Sequence, residues 1–424
     1  MKRVLRLPAY RRLLAAYTLN ELAWSVGTLA LAVLVFRHTG SAVGSAAFFL
    51  CAQFFPALLS PAVVARIDQS SPRRVLPILY ALEAILFAVL AWAASRFSLV
   101  PVLALALLDG IVAVTARALA RAATVGVLTP VGLLREGNAV TNTLFSISFM
   151  AGPALGGLVV ASGGTIAALL ANSGLFAATA VILVTAGALP RAHEEGVPTA
   201  RRVRAAIAHV RSDPLLRALL GIQVAAVVLF TISMPVEVVF AQRTLHAGAG
   251  GYGALLSSWG AGAVAGSAGY ARWRGLPARA LLATSVAALG VGFLVMAAAP
   301  TLVLAMIGSA IGGAGNGIES VAARTAVQEQ TPERWMALVM SLNESLNQAA
   351  PGGGIVLGGV IAALAGPRVA LMVAGAGSLV ITAVIWVVLR PRAGFDVSPV
   401  GSRSGSDAPT ETRPPAVSGS ERLA

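Results

Sequence analysis

The chain has 424 residues, 57% of them hydrophobic and only 11% charged, with a mean hydropathy of +0.82 and a formal net charge of +14. Soluble domains carry about 25% charged residues, so this composition leaves too little polar surface to cover a soluble fold. The positive charge does not imply nucleic acid, because the arginines sit in short loops between apolar runs and form no basic stripe interleaved with aromatics.

In chain order, Lys2, Arg3, Arg6, Arg11 and Arg12 precede an apolar run from Leu13 to Phe36. That order resembles a signal peptide, but the run exceeds the roughly 7–15 residues of a signal core and reads as a retained first span. Further runs follow, and the predicted spans are 13–36, 42–65, 75–94, 99–119, 138–160, 165–188, 215–239, 252–271, 280–299, 301–323, 338–362 and 369–389. Runs such as Leu281–Ala299 approach the roughly 20 residues that cross a hydrocarbon core. Backbone groups in lipid must bond internally, which makes these spans helices. A β-barrel would show segments of about 10 residues alternating apolar and polar, and these runs are continuous.

The positive-inside rule sets the expected orientation. With the amino terminus inside, all but four of the 31 lysines and arginines fall on the inner side, the exceptions being Arg37, Arg96, Arg243 and Arg368. The predicted organisation is a cytoplasmic amino terminus (1–12), an amino-terminal six-helix bundle (13–188), a cytoplasmic central loop (189–214), a carboxy-terminal six-helix bundle (215–389) and a disordered cytoplasmic tail (390–424). Both termini are then cytoplasmic, and the protein is a multi-pass component of the cell membrane. Within the polar stretch Pro190–Arg217, Val203, Ile207 and Val210 recur at helical spacing among Arg201, Arg202, Arg204 and Arg211. A solvated linker and an amphipathic helix on the anionic inner leaflet both fit that pattern.

Little else in the chain offers chemistry. Cys51 is the only cysteine, and the four histidines (His38, His193, His209, His246) lack metal-ligand spacing. No phosphate-binding loop ends in Gly-Lys-Ser/Thr, and no nucleophile–base constellation stands out. Neither an enzyme, a metal site nor a cofactor is expected.

The halves resemble each other. Asn138-Ala139-Val140-Thr141-Asn142 leads to Gly152-Pro153-Ala154-Leu155-Gly156-Gly157, and Ser341-Leu342-Asn343 leads to Gly352-Gly353-Gly354 and Gly358-Gly359. Thr165–Leu169 likewise sits opposite Pro367–Leu371. A six-plus-six parallel repeat is the symmetry of one large transporter class.

On these features the chain resembles a major facilitator superfamily transporter over roughly residues 8–390, and within it the twelve-helix macrolide- and siderophore-efflux-like branch. The resemblance implies an all-α polytopic fold of 12 transmembrane helices in two six-helix bundles related by a pseudo-two-fold axis. The loop after the second span keeps the branch's acid, Asp68, and its basic pair, Arg73 and Arg74, while Val64 and Gln69 replace the usual glycine and arginine. In the family this loop forms a cytoplasmic gate. Ser148-x-x-x-Gly152-Pro153-x-x-Gly156-Gly157 resembles the antiporter motif of drug exporters, with serine for its first glycine. Small residues let helices approach closely and proline bends the span, so generic packing would use the same residues. Gln328–Arg334 resembles a further cytoplasmic loop of the branch.

Acids inside the spans point to function, because a carboxylate at the bilayer centre costs several kcal/mol unless it is solvated, paired or protonated. Six fall there: Glu21, Glu83, Asp109, Glu237, Glu319 and Glu344. In the resembled fold, spans 1, 4, 7 and 10 line the central cavity. That places Glu21 beside Asn20, Asp109 with Arg117 two turns away, Glu237, and Glu319 near Asn316 as proton-coupling or substrate-cavity candidates. Glu237 lies nearer the outer end, where solvation would account for it. Glu83 and Glu344 are assigned to helix packing, with a water-facing placement open.

The function expected is secondary active transport by a monomer: proton-coupled efflux of a small amphipathic or cationic compound by alternating access. Its partners are the small-molecule substrate, protons and the lipid bilayer. The alternatives are an uptake permease of the same fold for a sugar, amino acid or organic acid, and a non-transporting membrane receptor.

Overall fold

The computed structural model of the chain describes residues 3–67, 72–185, 200–273 and 275–389, and no strand occurs among them. Helix α1 (Pro8–Thr39) starts with proline in its first position, where the missing N–H costs nothing, and stops at Gly40, which is left-handed at φ 58°. Ser41 caps α2 (Ala42–Phe49) by accepting from the Gly44 N–H. One π turn (Leu50–Phe54) joins α2 to α3 (Phe55–Ile67), and together they make the second span. Pro56 explains the widened turn, because it has no N–H to give to the Ala52 carbonyl and its ring crowds that group.

The first half continues with α4 (Pro72–Ser95), α5 (Leu99–Leu128) and α6 (Leu134–Val184). The sequence suggests a loop between the fifth and sixth spans. The structure instead carries helix through both and reverses direction at Gly164, whose φ of 80° and ψ of 174° only glycine adopts without strain. Beyond lie α7 (Ala200–Ser212), α8 (Pro214–Val239), α9 (Gly248–Trp273), α10 (Ala278–Ala298), α11 (Leu302–Gln330), α12 (Glu333–Ala365) and α13 (Pro367–Val388). A second π turn, Phe240–Thr244, closes the α8 span. Ten of these helices, α6 among them as a single run, are long and apolar enough to cross a membrane. Counting both arms of α6 gives eleven crossings. The 26-residue α9 makes the twelfth, its hydropathy lowered by the glycines and serines that pack it.

Each half repeats one packing scheme. The first span packs on the fifth, the third on the sixth, and the fourth on the second and third, in α1–α6 and again in α8–α13. The expected two-bundle architecture is therefore present. We call the membrane face at which α1 begins the terminal side and the opposite face the distal side.

The amphipathic pattern before the second half forms α7, and its Val210 packs onto protein with Leu216, Leu219 and Trp335. His209 stacks on Trp335 at 5.4 Å between ring centres. Asp213 caps α8 through the Leu215 and Leu216 N–H groups at 2.9 and 3.0 Å, and its second oxygen accepts from Gln330. The start of the expected central loop and the tail from residue 390 lie outside the described residues.

The halves meet along α6–α9 and α2–α12. Glycine makes both seams close. A Cβ on Gly157 would sit 2.9 Å from the Ala249 carbonyl oxygen and 3.1 Å from Gly253 Cα, and one on Gly260 would meet the Phe149 carbonyl at 2.8 Å. Gly359 lies against Ala46, and Gly352 against the Phe54 ring. These approaches run from mid-span to the distal side, where Arg243 of the second half also lies 5.9 Å over the Phe36 ring of the first. Toward the terminal side Glu344 and Arg324 pair at 4.0 Å with side chains 59% and 61% exposed. Both residues belong to the second half, and the glycine approaches between the halves do not extend to this level.

The expected antiporter-like motif thus splits between two duties. Gly152 and Gly156 face Ser25 and Val26 within the first half, while Pro153 and Gly157 face α9 across the seam. Gly156→Val should therefore overpack the first half and lower the thermal midpoint of the purified protein, at a cost of about 1–3 kcal/mol. Gly157→Val should leave that midpoint nearly unchanged and wedge the seam open. A cysteine at Ala249, which is 2% exposed, in a Cys51→Ala background should then label faster with an impermeant maleimide applied from the distal side. Unchanged labelling would show that the seam is not the distal closure.

Candidate functional site

Two helices present stripes at four-residue spacing to one chamber in the first half. From α1 come Asn20, Trp24 and Thr28; from α5 come Asp109, Ala113, Arg117 and Arg121. Gln53 of the π turn and Gln348 of α12 complete the polar lining of a cavity of about 300 Å³. Gly110 allows α5 to seat here, because any Cβ would run into Pro56 and the Ala52 carbonyl. The Arg117 guanidinium lies 5.1 Å over the Trp24 ring.

Behind this wall Glu83 of α4 is fully buried, within electrostatic reach of Asp109 and Arg117. Tyr17 and Tyr80 lie within electrostatic reach of Glu21 and Arg117. Both Glu83 oxygens, Asp109 Oδ1, Arg117 Nε, Asn20 Oδ1 and both side-chain polar atoms of Asn172 are buried without a hydrogen-bond partner. Buried polar atoms are ordinarily satisfied, and each one left over costs about 1–3 kcal/mol. They concentrate between α1, α4, α5 and α6, around the chamber.

A second cavity, of about 130 Å³, lies between the halves. Its walls are aromatic: Trp24, Phe49, Phe149, Phe230, Tyr252 and Trp259, with the rings of Phe230 and Trp259 stacked at 5.3 Å. Glu237 is its one carboxylate; it is 5% exposed, hydrogen-bonded to Ser233 and close to Tyr252. Trp24, Thr28 and Gln53 line both cavities.

Of the residues expected from sequence, Asn20, Asp109 and Arg117 come together in the chamber, and Glu237 lines the aromatic cavity. Glu237 is not solvated near the outer end: it is buried beside Ser233 and Tyr252. Glu21 is 6% exposed beside Asn20, whose Nδ2 donates to it at 3.2 Å, but it lines neither cavity. Asn316 and the mostly buried Glu319 also line neither. Glu344 faces water and accepts from Gln348. Of the expected gate, Arg73 and Arg74 are exposed at the start of α4, and Asp68 lies outside the described residues. Sequence reading assigned Glu83 to helix packing and missed Asn172, Arg121 and the aromatic walls. Only Arg121 had a linear signal, its spacing of four from Arg117 and twelve from Asp109.

Comparison with known proteins gives the same picture. The family model for the transmembrane secretion effector matches residues 4–402. The multidrug efflux pump Tap of Mycolicibacterium fortuitum is 29% identical over 360 residues, covering 78% of this chain and 84% of that protein. Among solved structures, the nucleoside transporter NupG superposes with a TM-score of 0.71 at 14% identity, covering 91% of this chain and 100% of that one. A bacterial homologue of the iron transporter ferroportin, in an inward-facing state, gives 0.71 at 15% identity, covering 90% and 99%. At these identities the two structures speak to fold alone.

The mixed-sign cluster has a testable energetic consequence. Arg117→Met should leave Glu83 and Asp109 without their cation and lower stability by roughly 1–3 kcal/mol. Glu83→Gln added to it should restore part of the loss. Thermal unfolding in detergent measures both, and additive losses in the double variant would disprove the coupling.

Proposed function

We propose that this chain, which belongs to the transmembrane secretion effector family of major facilitator superfamily transporters, exports a small amphipathic or cationic compound in exchange for protons. The observation that carries this reading is the aromatic cavity with one carboxylate, set between two halves that pack closely from mid-span to the distal side. Aromatic faces and a desolvated carboxylate together favour organic cations. The similarity to a multidrug efflux pump supports the same direction of transport.

Positive-inside charge makes the terminal side cytoplasmic, so this conformation loads from the cytoplasm. A cation entering the cleft meets Glu237 against Phe230 and Trp259 and displaces the proton that carboxylate carries. Rocking of the halves then parts the α6–α9 and α2–α12 seams and closes the cytoplasmic side. Release to the outside leaves Glu237 open to reprotonation, and the proton is delivered inward on return. Asp109, at mid-span on the chamber wall, is the second carboxylate that changes surroundings in this cycle.

Proteoliposomes with an imposed pH gradient test the reading, with tetraphenylphosphonium as the probe. Wild-type protein should drive pH-dependent flux. Glu237→Gln and Asp109→Asn should each cut it about tenfold or more, equivalent to ~1.4 kcal/mol in the loaded state. Glu319→Gln should retain it. Full pH-dependent flux in both of the first two variants would refute carboxylate coupling, and gradient-driven movement in the same direction as the protons would make the protein an uptake system.

A further inference from the structure

The polar chamber of the first half has no part in the binding step above, yet it is the larger of the two cavities. Three side chains form its boundary with the aromatic cavity: Trp24, Thr28 and Gln53. All three are partly exposed and reach both spaces. We infer that chamber and cavity form one bipartite ligand site, which takes a molecule with a flat apolar body and an attached group bearing several hydroxyl or amino functions. The aromatic cavity holds the body, and the chamber holds the polar group. The proposal builds on the export reading for what happens to the ligand, but it concerns which ligand binds.

The chamber's polar lining specifies that group. Asn20 and Asp109 bring acceptor oxygens to it, while Arg117 and Arg121 bring N–H donors. A ligand must therefore both donate and accept within one compact group. A simple anion would bind Arg117 but sit beside Asp109 and Glu83; a bare cation would meet Arg117 and Arg121. A polyhydroxy or amino-hydroxy ring satisfies both kinds of atom without net charge conflict. Trp24 helps from the side, since its ring is already held by Arg117 at 5.1 Å and turns an apolar face to the boundary. A chamber serving proton movement alone needs only a file of water between carboxylates. Some 300 Å³ lined by Asn20, Gln53 and Gln348 goes well beyond that.

Equilibrium binding by the full chain in lipid nanodiscs, at fixed pH and without any gradient, tests this. The probes are doxorubicin, a planar ring system carrying an amino sugar, and its sugar-free aglycone, followed by their fluorescence. Wild-type protein should hold the glycoside about tenfold more tightly than the aglycone. Asn20→Ala should bring the glycoside down to the aglycone's affinity and leave the aglycone unchanged. Gln348→Leu, at an exposed position where folding is not at stake, should remove part of the difference, about threefold. Trp259→Ala should weaken both probes by a similar factor. Equal affinities in the wild type, binding of neither probe, or equal weakening of both by Asn20→Ala and Gln348→Leu would overturn the bipartite site. Gradient-driven flux of tetraphenylphosphonium, which carries no polar group, reports separately on export, so either reading can fail while the other stands.

Discussion

Direct backbone contact between α6 and α9 at Gly157 and Gly253 is the constraint on which the rest of the molecule hangs. In lipid there is no hydrophobic drive between helices, because acyl chains are as apolar as leucine; close packing of small residues takes its place. At these glycines the contact is backbone on backbone, and such a contact can part without dragging rotamers out of their wells. One turn away on the same helix, Gly152 and Gly156 bring α6 equally close to α1. The helix is thus fastened to its own half on one face and rests against the other half on the second. In the proposed cycle, that difference would let a bundle stay rigid while its boundary with the other bundle opens and closes.

Polar burial follows the same division. The first half concentrates Glu83, Asp109 and Arg117 in one mixed-sign cluster, whereas the second half keeps Glu237 and Glu319 apart. A charge in the hydrocarbon zone is expensive alone, and neighbours of opposite sign offset part of that cost. Glu237 has only Ser233 and the rim of Tyr252 beside it, so its surroundings change most when the seam moves. The first half reads as a fixed polar wall, and the second as the part that places one carboxylate against aromatic rings.

Hydropathy made the spans legible because lipid exposure is a property of each segment by itself. It overshot or undershot wherever helix and membrane boundaries differ. Helix α5 runs on to Leu128 past Arg117 and Arg121 because nothing in water stops a hydrogen-bonded helix, and α6 turns at a single glycine where a loop was expected. Asp109 and Arg117 were legible as a pair because they share one helix face. The aromatic cavity was not, since its rings come from α1, α2, α6, α8 and α9 and no linear pattern joins them. Glu237 was misjudged for a related reason. Its place in the sequence is near a span end, and only tertiary packing buries it there.

Trp24 sits where these themes meet. It belongs to the rigid half, carries Arg117 on its ring, and borders both cavities. A molecule held across it in the proposed manner would have its polar group anchored to the first half and its apolar body pressed against Phe230 and Trp259 of the second. Rocking of the halves would then act on the two ends of the ligand differently: the chamber moves as a unit with α1, α4 and α5, while the aromatic wall loses the α8 and α9 rings together. Grip at the polar end would persist after the apolar contacts loosen, so release would depend on water reaching the chamber rather than on the seam opening alone. In this cycle the distal contact of Arg243 with Phe36 would have to part together with the glycine seam, because both join the halves on the same side.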